Sequence, residues 1–314
     1  MLRFIIWRLI HVVPVLFGVS FVVFSVLYLI PGDIAHTLLS MFYTEERAAM
    51  LREELGLDRP MFVQYGHWLW AALHGDLGQS LMMRMPVMTV LLDKTGNSLI
   101  LTGASLLIVI PVSFLMGTAS AARFRKPFDR FTVFFSLLLA SMPVFWLGIA
   151  LLYLFGVRVP LFPMSGMYNM ANPGGILDLL HHLFLPAVTT AATSVAIVTR
   201  VTRGAMLDTL SQPYILAARS RGLPGSRVIY RHGVRNILPT FSNMIGLQIG
   251  YLFGSAIFSE IIFNWPGIGL QLYQSILHRD LTMVQGCVLA VAVIFVLGNM
   301  LADIIVYALD TTRK

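Results

Sequence analysis

Residues able to do chemistry are few in this chain, and they gather in one polar stretch. Tyr214-Ile-Leu-Ala-Ala-Arg-Ser-Arg-Gly222 runs on to Arg231-His-Gly-Val-Arg-Asn-Ile-Leu-Pro239. Ala217 and Ala218 are small enough to let another backbone approach. Arg219, Arg221 and Arg231 carry donor forks suited to carboxylates, with His232 beside them. Gly222 can stop a helix, and Pro239 stands where the next apolar run begins. Such a stretch is too polar for lipid and too patterned for a linker. Its chemistry is docking rather than bond breaking. Covalent chemistry has little to work with. The single cysteine, Cys287, lies in an apolar run, which excludes an intrachain disulfide and a Cys-based zinc site. It reads as a small packing residue. No Ser/His/Asp or Cys/His set has persuasive spacing, so an intramembrane enzyme finds little support.

Other candidates each carry two readings. Met82, Met83, Met85 and Met88, then Met164, Met167 and Met170, form two clusters, with His181 and His182 near in sequence. Thioethers and imidazoles suit soft metals. Flexible apolar packing is the favoured reading, metal or metal-chelate cargo the minor one, and no metal site is assigned. Glu260 and the turn Trp265-Pro266-Gly267 form either an outer mouth or gate, or a re-entrant turn that needs Pro and Gly. Ser242, Asn243, Gln248 and Ser255 make one apolar run unusually polar. Asn243, Gly246 and Gly250 share a helical stripe that lines a pathway or packs on a partner. Asp303 suits pairing with a loop arginine, and Asn299, one turn earlier, suits helix–helix contact.

These residues must be held by membrane helices. Of 314 residues, 57% are hydrophobic and only 12% charged, whereas soluble domains carry about 25% charged residues. Mean hydropathy is +0.78. The chain is therefore an all-α polytopic membrane protein. Runs free of Asp, Glu, Lys and Arg predict six spans, Leu9–Gly32, Thr95–Ala122, Phe131–Val157, Leu179–Thr199, Asn236–Ser259 and Leu281–Ala302. Each reaches the ~20 residues needed to cross a bilayer. Two further uncharged runs, Val159–Leu177 and Ile261–His278, fail through their Pro, Gly and Asn content. The first span is too long for a secretory signal and has no small-x-small cleavage site.

Orientation follows from charge. With the N-terminus inside, the inner segments 1–8, 123–130, 200–235 and 303–314 hold 15 of the 22 Lys and Arg. The positive-inside rule then makes both termini cytoplasmic. The net charge of +7 marks these loops. No soluble basic domain is present to bind nucleic acid. The outer segment 33–94 is acidic and long enough to fold. Thr44 to Gly56 reads as a short helix with a glycine stop. Gln64–Leu73 reads as an amphipathic helix whose Tyr65, Trp68 and Trp70 suit a membrane interface. The chain shows no internal repeat.

Within segment 200–235, Gly204–Leu210 continues the fourth span, and Gln212-Pro213 breaks it. Pro213 opens a helix of about two turns that Gly222 closes. Ser226 then caps a helix climbing to Pro239.

Ala217-Ala218-x-x-x-Gly222, Arg231-His232 and Asn236-x-x-Pro239 resemble the EAA loop of binding-protein-dependent ABC importer permeases. Other pieces narrow the resemblance to the dipeptide, oligopeptide and nickel branch. They include Pro31-Gly32-Asp33, Leu55 to Pro60, Gly75-Asp76-Leu77-Gly78-Gln79-Ser80, Pro86-Val87, and Ser141 to Trp146. Later pieces are Glu260-x-x-Phe263-x-Trp265-Pro266-Gly267-x-Gly269, Arg279-Asp280, Val284-Gln285-Gly286 and Asn299-x-x-x-Asp303. They run in order over almost the whole chain.

The resemblance implies a type I importer permease fold in a bacterial inner membrane, bathed by lipid. Residues 1–94 would form the first transmembrane helix and an extracytoplasmic segment. Residues 95–314 would form a five-helix core with the coupling loop at about 200–238. Implied partners are a second, homologous permease, two ATPase subunits that bind ATP and Mg, and an extracytoplasmic solute-binding protein. Ala217, Ala218, Arg219, Arg221, Gly222, Arg231 and His232 would couple to an ATPase. Asn243, Gln248, Glu260, Trp265, Pro266 and Gly267 would belong to the pathway or its gate. Two departures matter. Leu216 stands at the motif's acidic position, and Asp310-Thr311-Thr312-Arg313 lacks the family's C-terminal proline.

A phosphate-binding loop requires Gly-Lys-Ser or Gly-Lys-Thr. Lys94, Lys126 and Lys314 follow no glycine, so ATP chemistry falls to a partner and this chain is expected to bind no cofactor. Small peptides are the expected cargo, with nickel, a metal chelate or another small solute as alternatives. A secondary transporter driven by an ion gradient is the rival class. It would show inverted repeats and midplane charges, which this sequence lacks.

Overall fold

The computed structural model describes residues 2–29, 44–46, 49–50, 59–169 and 174–309. Its main helices are α1 (Leu2–Leu29), α2 (Met61–Leu73), α3 (Val87–Ala122), α4 (Pro127–Ser141), α5 (Val144–Leu152), α6 (Gly175–Leu210), α7 (Pro213–Ser220), α8 (Val234–Ile262), α9 (Ile268–Leu277) and α10 (Leu281–Leu309). A π-helical turn, Tyr153–Arg158, extends α5, and a second, Val228–Gly233, leads into α8. Among the described residues the only extended pairing is an isolated bridge between Gln79 and Pro86.

Among the described residues, five helical stretches are long and apolar enough to cross a membrane: Ile10–Leu29, Val87–Ala122, Gly175–Leu210, Gly225–Ile262 and Leu281–Ala302. The third predicted span, Phe131–Val157, is not a single rod. It divides into α4 and α5, bent by 105°. Pro143 causes the break, because a residue before proline is driven out of helical geometry. Met142 accordingly adopts φ −81°, ψ 129°. Counted as one bent span, the pair brings the total to six. Past the end of α8 at Ile262, the run 261–278 holds only the short α9, and 159–169 is non-helical, in keeping with their Pro and Gly content. Most of the helix expected between Thr44 and Gly56 lies outside the described residues.

Two compact units share the chain. The first comprises Met1–Thr95 and Gln271–Ile294. In it α2 packs on α1 through Tyr65, whose hydroxyl lies 2.8 Å from Ser20 Oγ. Phe17, Phe21 and Phe24 meet the Tyr65 ring edge-on. The loop after α2 turns at Gly75 (φ +85°) and Gly78 (φ +83°), left-handed conformations that favour glycine. Asp280 fastens this loop. Its Oδ2 accepts from Ser80 Oγ at 2.5 Å and from the Met82 N–H at 3.2 Å. Oδ1 of the same carboxylate accepts the Met283 N–H at 3.1 Å, capping α10.

The second unit comprises Gly96–Leu270 and Phe295–Lys314. Its centre is α6 against α8. Val109, Ala191, Val198, Phe241 and Leu252 form one buried cluster; Leu101, Leu183, Ala187, Ala256 and Trp265 form another. Polar side chains cross this apolar contact in satisfied pairs: Thr190 Oγ1 donates to Ser259 Oγ and Ser194 Oγ to Gln248 Oε1, each at 2.8 Å. Small residues permit the close helix approaches. A Cβ on Gly117 would lie 2.7 Å from Thr202 Cβ, and one on Gly250 would lie 2.7 Å from Phe295 Cε2 and 2.9 Å from Asn299 Oδ1.

Candidate functional site

The candidate docking element is built by local rules that its sequence states openly. Pro213 occupies the first turn of α7, and Gln212 before it is extended (φ −70°, ψ 146°). At the other end Gly222 takes φ +76°. The Gly222 N–H donates to the Arg219 carbonyl (2.9 Å) and the Leu223 N–H to the Ala218 carbonyl (3.4 Å). That pair of bonds is a Schellman stop, which satisfies the last carbonyls of the helix. Leu223 completes it by packing on the cluster of Ile215, Ala218 and Val228.

One face of α7 is therefore committed to its own chain. Ile215 is fully buried and Ala218 nearly so, three residues apart. Tyr214, Leu216, Ala217 and Arg219 are exposed. Of the two alanines, Ala217 offers surface and Ala218 seats the helix. A Cβ added at Gly222 would meet no atom within 4 Å; the role of this glycine is backbone conformation, not close fit. Arg221 and Arg231 are exposed, and His232 is half-buried.

Past the Leu223-Pro224 turn the chain departs from expectation. Ser226 makes no cap bond; it sits inside the helical turn Gly225–Arg227, and Pro224 holds the N-cap position. Pro224 pre-sets the turn, and its carbonyl receives the Val228 N–H at 3.1 Å. The helix does not stop at Pro239 but runs through it to Ile262. Arg231 and His232 lie on the π turn Val228–Gly233; such turns interrupt a regular helix and often mark functional sites. Gly233 brings this turn against α6: a Cβ there would lie 2.7 Å from Met206 Cε, so the flexible end of the methionine would have to shift. Asn236 Nδ2 donates to the His232 carbonyl at 2.7 Å.

The outer-turn candidates form a second site, knotted rather than open. Glu260 and Trp265 are buried at 1% and 0% exposure. Glu260 Oε1 accepts from Ser98 Oγ at 2.6 Å. Its Oε2 accepts the Gly269 N–H at 2.6 Å and the Leu270 N–H at 3.3 Å, so the carboxylate caps the start of α9. Trp265 Nε1 donates to the Asn97 carbonyl, Asn97 Nδ2 to the Pro266 carbonyl, each at 2.9 Å. At Gly269 a Cβ would lie 2.7 Å from Ile257 Cα. Nothing in the sequence singles out Asn97 and Ser98. They are single polar residues at the start of an apolar run, and only folding reveals their partners.

Gln248 is buried against Ser194, Asn243 is exposed, and Gly250 packs within its own chain. The predicted stripe is thus divided between an internal contact and an open position. The side chain of Asp303 lies outside the described residues. His182 Nδ1 lies 3.1 Å from Asp178 Oδ1, and His181 Nε2 lies 2.7 Å from the Leu161 carbonyl. Both rings are therefore engaged in shaping the start of α6. Met82, Met83 and Met85 are exposed on the loop that Asp280 fastens.

Among the described residues, five long apolar helices and one bent pair, with the short basic helix α7 between α6 and α8, have the make-up of a multi-pass membrane protein. The chain belongs to the family of binding-protein-dependent transport system inner membrane components, whose model matches residues 109–314 and whose N-terminal companion model matches residues 1–102. It is a multi-pass inner-membrane permease subunit of an ABC importer, which sets aside the ion-gradient carrier and the intramembrane enzyme. Similarity extends over the full length. The dipeptide transport system permease protein DppB of Escherichia coli (strain K12) is 36% identical, with 97% of this chain and 96% of that protein covered. DppB of Alkalihalophilus pseudofirmus is 34% identical with both chains fully covered, and the oligopeptide transport system permease protein AppB of Bacillus subtilis (strain 168) is 32% identical over 99% and 98%.

Proposed function

We propose that this chain forms half of a translocation pathway for small peptides, paired with a second, homologous permease. Its relatives are named for dipeptide and oligopeptide transport along their whole length, and that cargo is carried over to this chain. Two ATPase subunits would bind ATP and Mg on the cytoplasmic side, and a solute-binding protein would deliver peptide to the outer face. Both termini would be cytoplasmic.

The carrying observation is α7. An eight-residue helix, stopped by a Schellman turn and anchored by Ile215 and Ala218, presents Tyr214, Leu216, Ala217 and Arg219 outward. Leu216 supplies an apolar knob where the general motif has an acid. Arg219 and Arg221 at the end of α7, with Arg231 on the π turn that follows, would offer donors to acidic groups on the ATPase. ATP binding would draw two such helices together and open the pathway outward; hydrolysis would reset it.

Proteoliposomes holding the complete transporter test the reading. ATP and binding protein together should drive uptake of a labelled dipeptide. Uptake without ATP that follows an ion gradient would refute it. Uptake of nickel in place of dipeptide would overturn the cargo alone.

A further inference from the structure

One buried ion pair lies outside both the docking element and the outer turn. Asp129, at the start of α4, is 3% exposed. Its carboxylate receives both arms of Arg203, Nε at 2.6 Å and Nη2 at 2.9 Å. Ser120 Oγ, near the end of α3, donates to Oδ1 at 2.5 Å, and the Arg125 N–H donates to Oδ2 at 2.9 Å. The Arg203 guanidinium also lies 5.6 Å from the centre of the Phe124 ring. The carboxylate thus gathers the end of α3, the turn after it, the start of α4, and α6.

Arg203 is placed to matter mechanically. It sits on α6 seven residues before that helix ends at Leu210, about 10 Å along the axis. Leu210 packs on the Ile215–Ala218–Val228 cluster that seats α7. Between the two, Met206 is fully buried and touches Gly233's position on the π turn. A bidentate pair on a buried carboxylate has one geometry rather than many. It therefore opposes sliding of α4 along α6.

We infer that the Asp129–Arg203 pair is a strut that makes α7, the lower part of α6 and the α3–α4 corner one rigid body. Movement of α7 then reaches the bent α4–α5 pair directly, as well as α8 through the chain. Asp129 and Arg203 are positioning residues: neither need touch ATP or cargo. The inference rests on the docking role proposed for α7.

Spin labels at Ser220 and Phe131, both exposed, in a Cys287→Ala background of the full transporter in nanodiscs, test it. The parent should give one narrow distance, the same without nucleotide and with ATP bound. Asp129→Asn should broaden that distance and lower transport per ATP hydrolysed roughly tenfold, within the usual range of coupling free energies. Arg203→Lys keeps the charge but loses the fork, and should fall between; it also serves should Asp129→Asn fail to assemble. A parent distance that changes with nucleotide would overturn the strut. So would unchanged distances in both variants, or ATPase and transport falling in proportion at a constant ratio. Cross-linking from Leu216→Cys to the ATPase separates the two readings. Its absence would refute docking while leaving a narrow parent distance intact.

Discussion

Gly222 shows how one residue's role changes once its surroundings are known. Its φ of +76° lies where an L side chain is strained by about 1–2 kcal/mol. Nothing crowds the site. Gly222→Ala should therefore lower the unfolding free energy of the purified transporter by about 1 kcal/mol, and Gly222→Asn by less, since asparagine tolerates that region. Equal losses would point to crowding instead. Glu260 gives a second residue-scale prediction. Removing its carboxylate with Glu260→Ala leaves the Ser98 hydroxyl and two N–H groups without their acceptor, each costing about 1–3 kcal/mol. Thermal unfolding in detergent should show a fall of several degrees. Loss of uptake with an unchanged melting temperature would favour the gate reading over the structural knot.

At the scale of elements, α7 leaves Ala217 exposed and buries Ala218, so identical substitutions should diverge. Ala217→Trp should leave stability near the parent and abolish ATP-dependent uptake, because it alters only the exposed face. Ala218→Trp should destabilise by about 1–3 kcal/mol, through overpacking against Ile215 and Val228. Thermal unfolding and uptake measured on both variants check the division; equal stability losses would contradict it. The π turn obeys a similar constraint. Gly233→Val should push Met206 aside, and protease sensitivity between α7 and α8 should rise. Sequence patterns predicted α7's start and stop, because Pro and Gly act locally. They could not predict the π turn Val228–Gly233, which no local signal marks.

For the whole molecule, charge bias along the chain predicts which side of the membrane each loop faces. In a Cys287→Ser background, Arg219→Cys should react with a membrane-impermeant maleimide only in inverted vesicles. Met82→Cys should react only in right-side-out ones. The reverse pattern would invert the proposed topology. Six apolar runs were readable because lipid demands long uncharged stretches. The break at Met142-Pro143 hid inside one of them, since a bent pair has the same composition as a straight span.

By itself the sequence determined the membrane class, the places of most spans and the basic segment between the fourth and fifth of them. All are consequences of composition, periodicity and local backbone rules. Tertiary structure decided which polar residues meet. Glu260 with Ser98, Asp280 with Ser80, and Asp129 with Arg203 stand 162, 200 and 74 residues apart. A buried carboxylate needs donors, but nothing local says which helix supplies them. The same holds for Ala218 and Gly250, whose smallness was legible while the surfaces pressed against them were not.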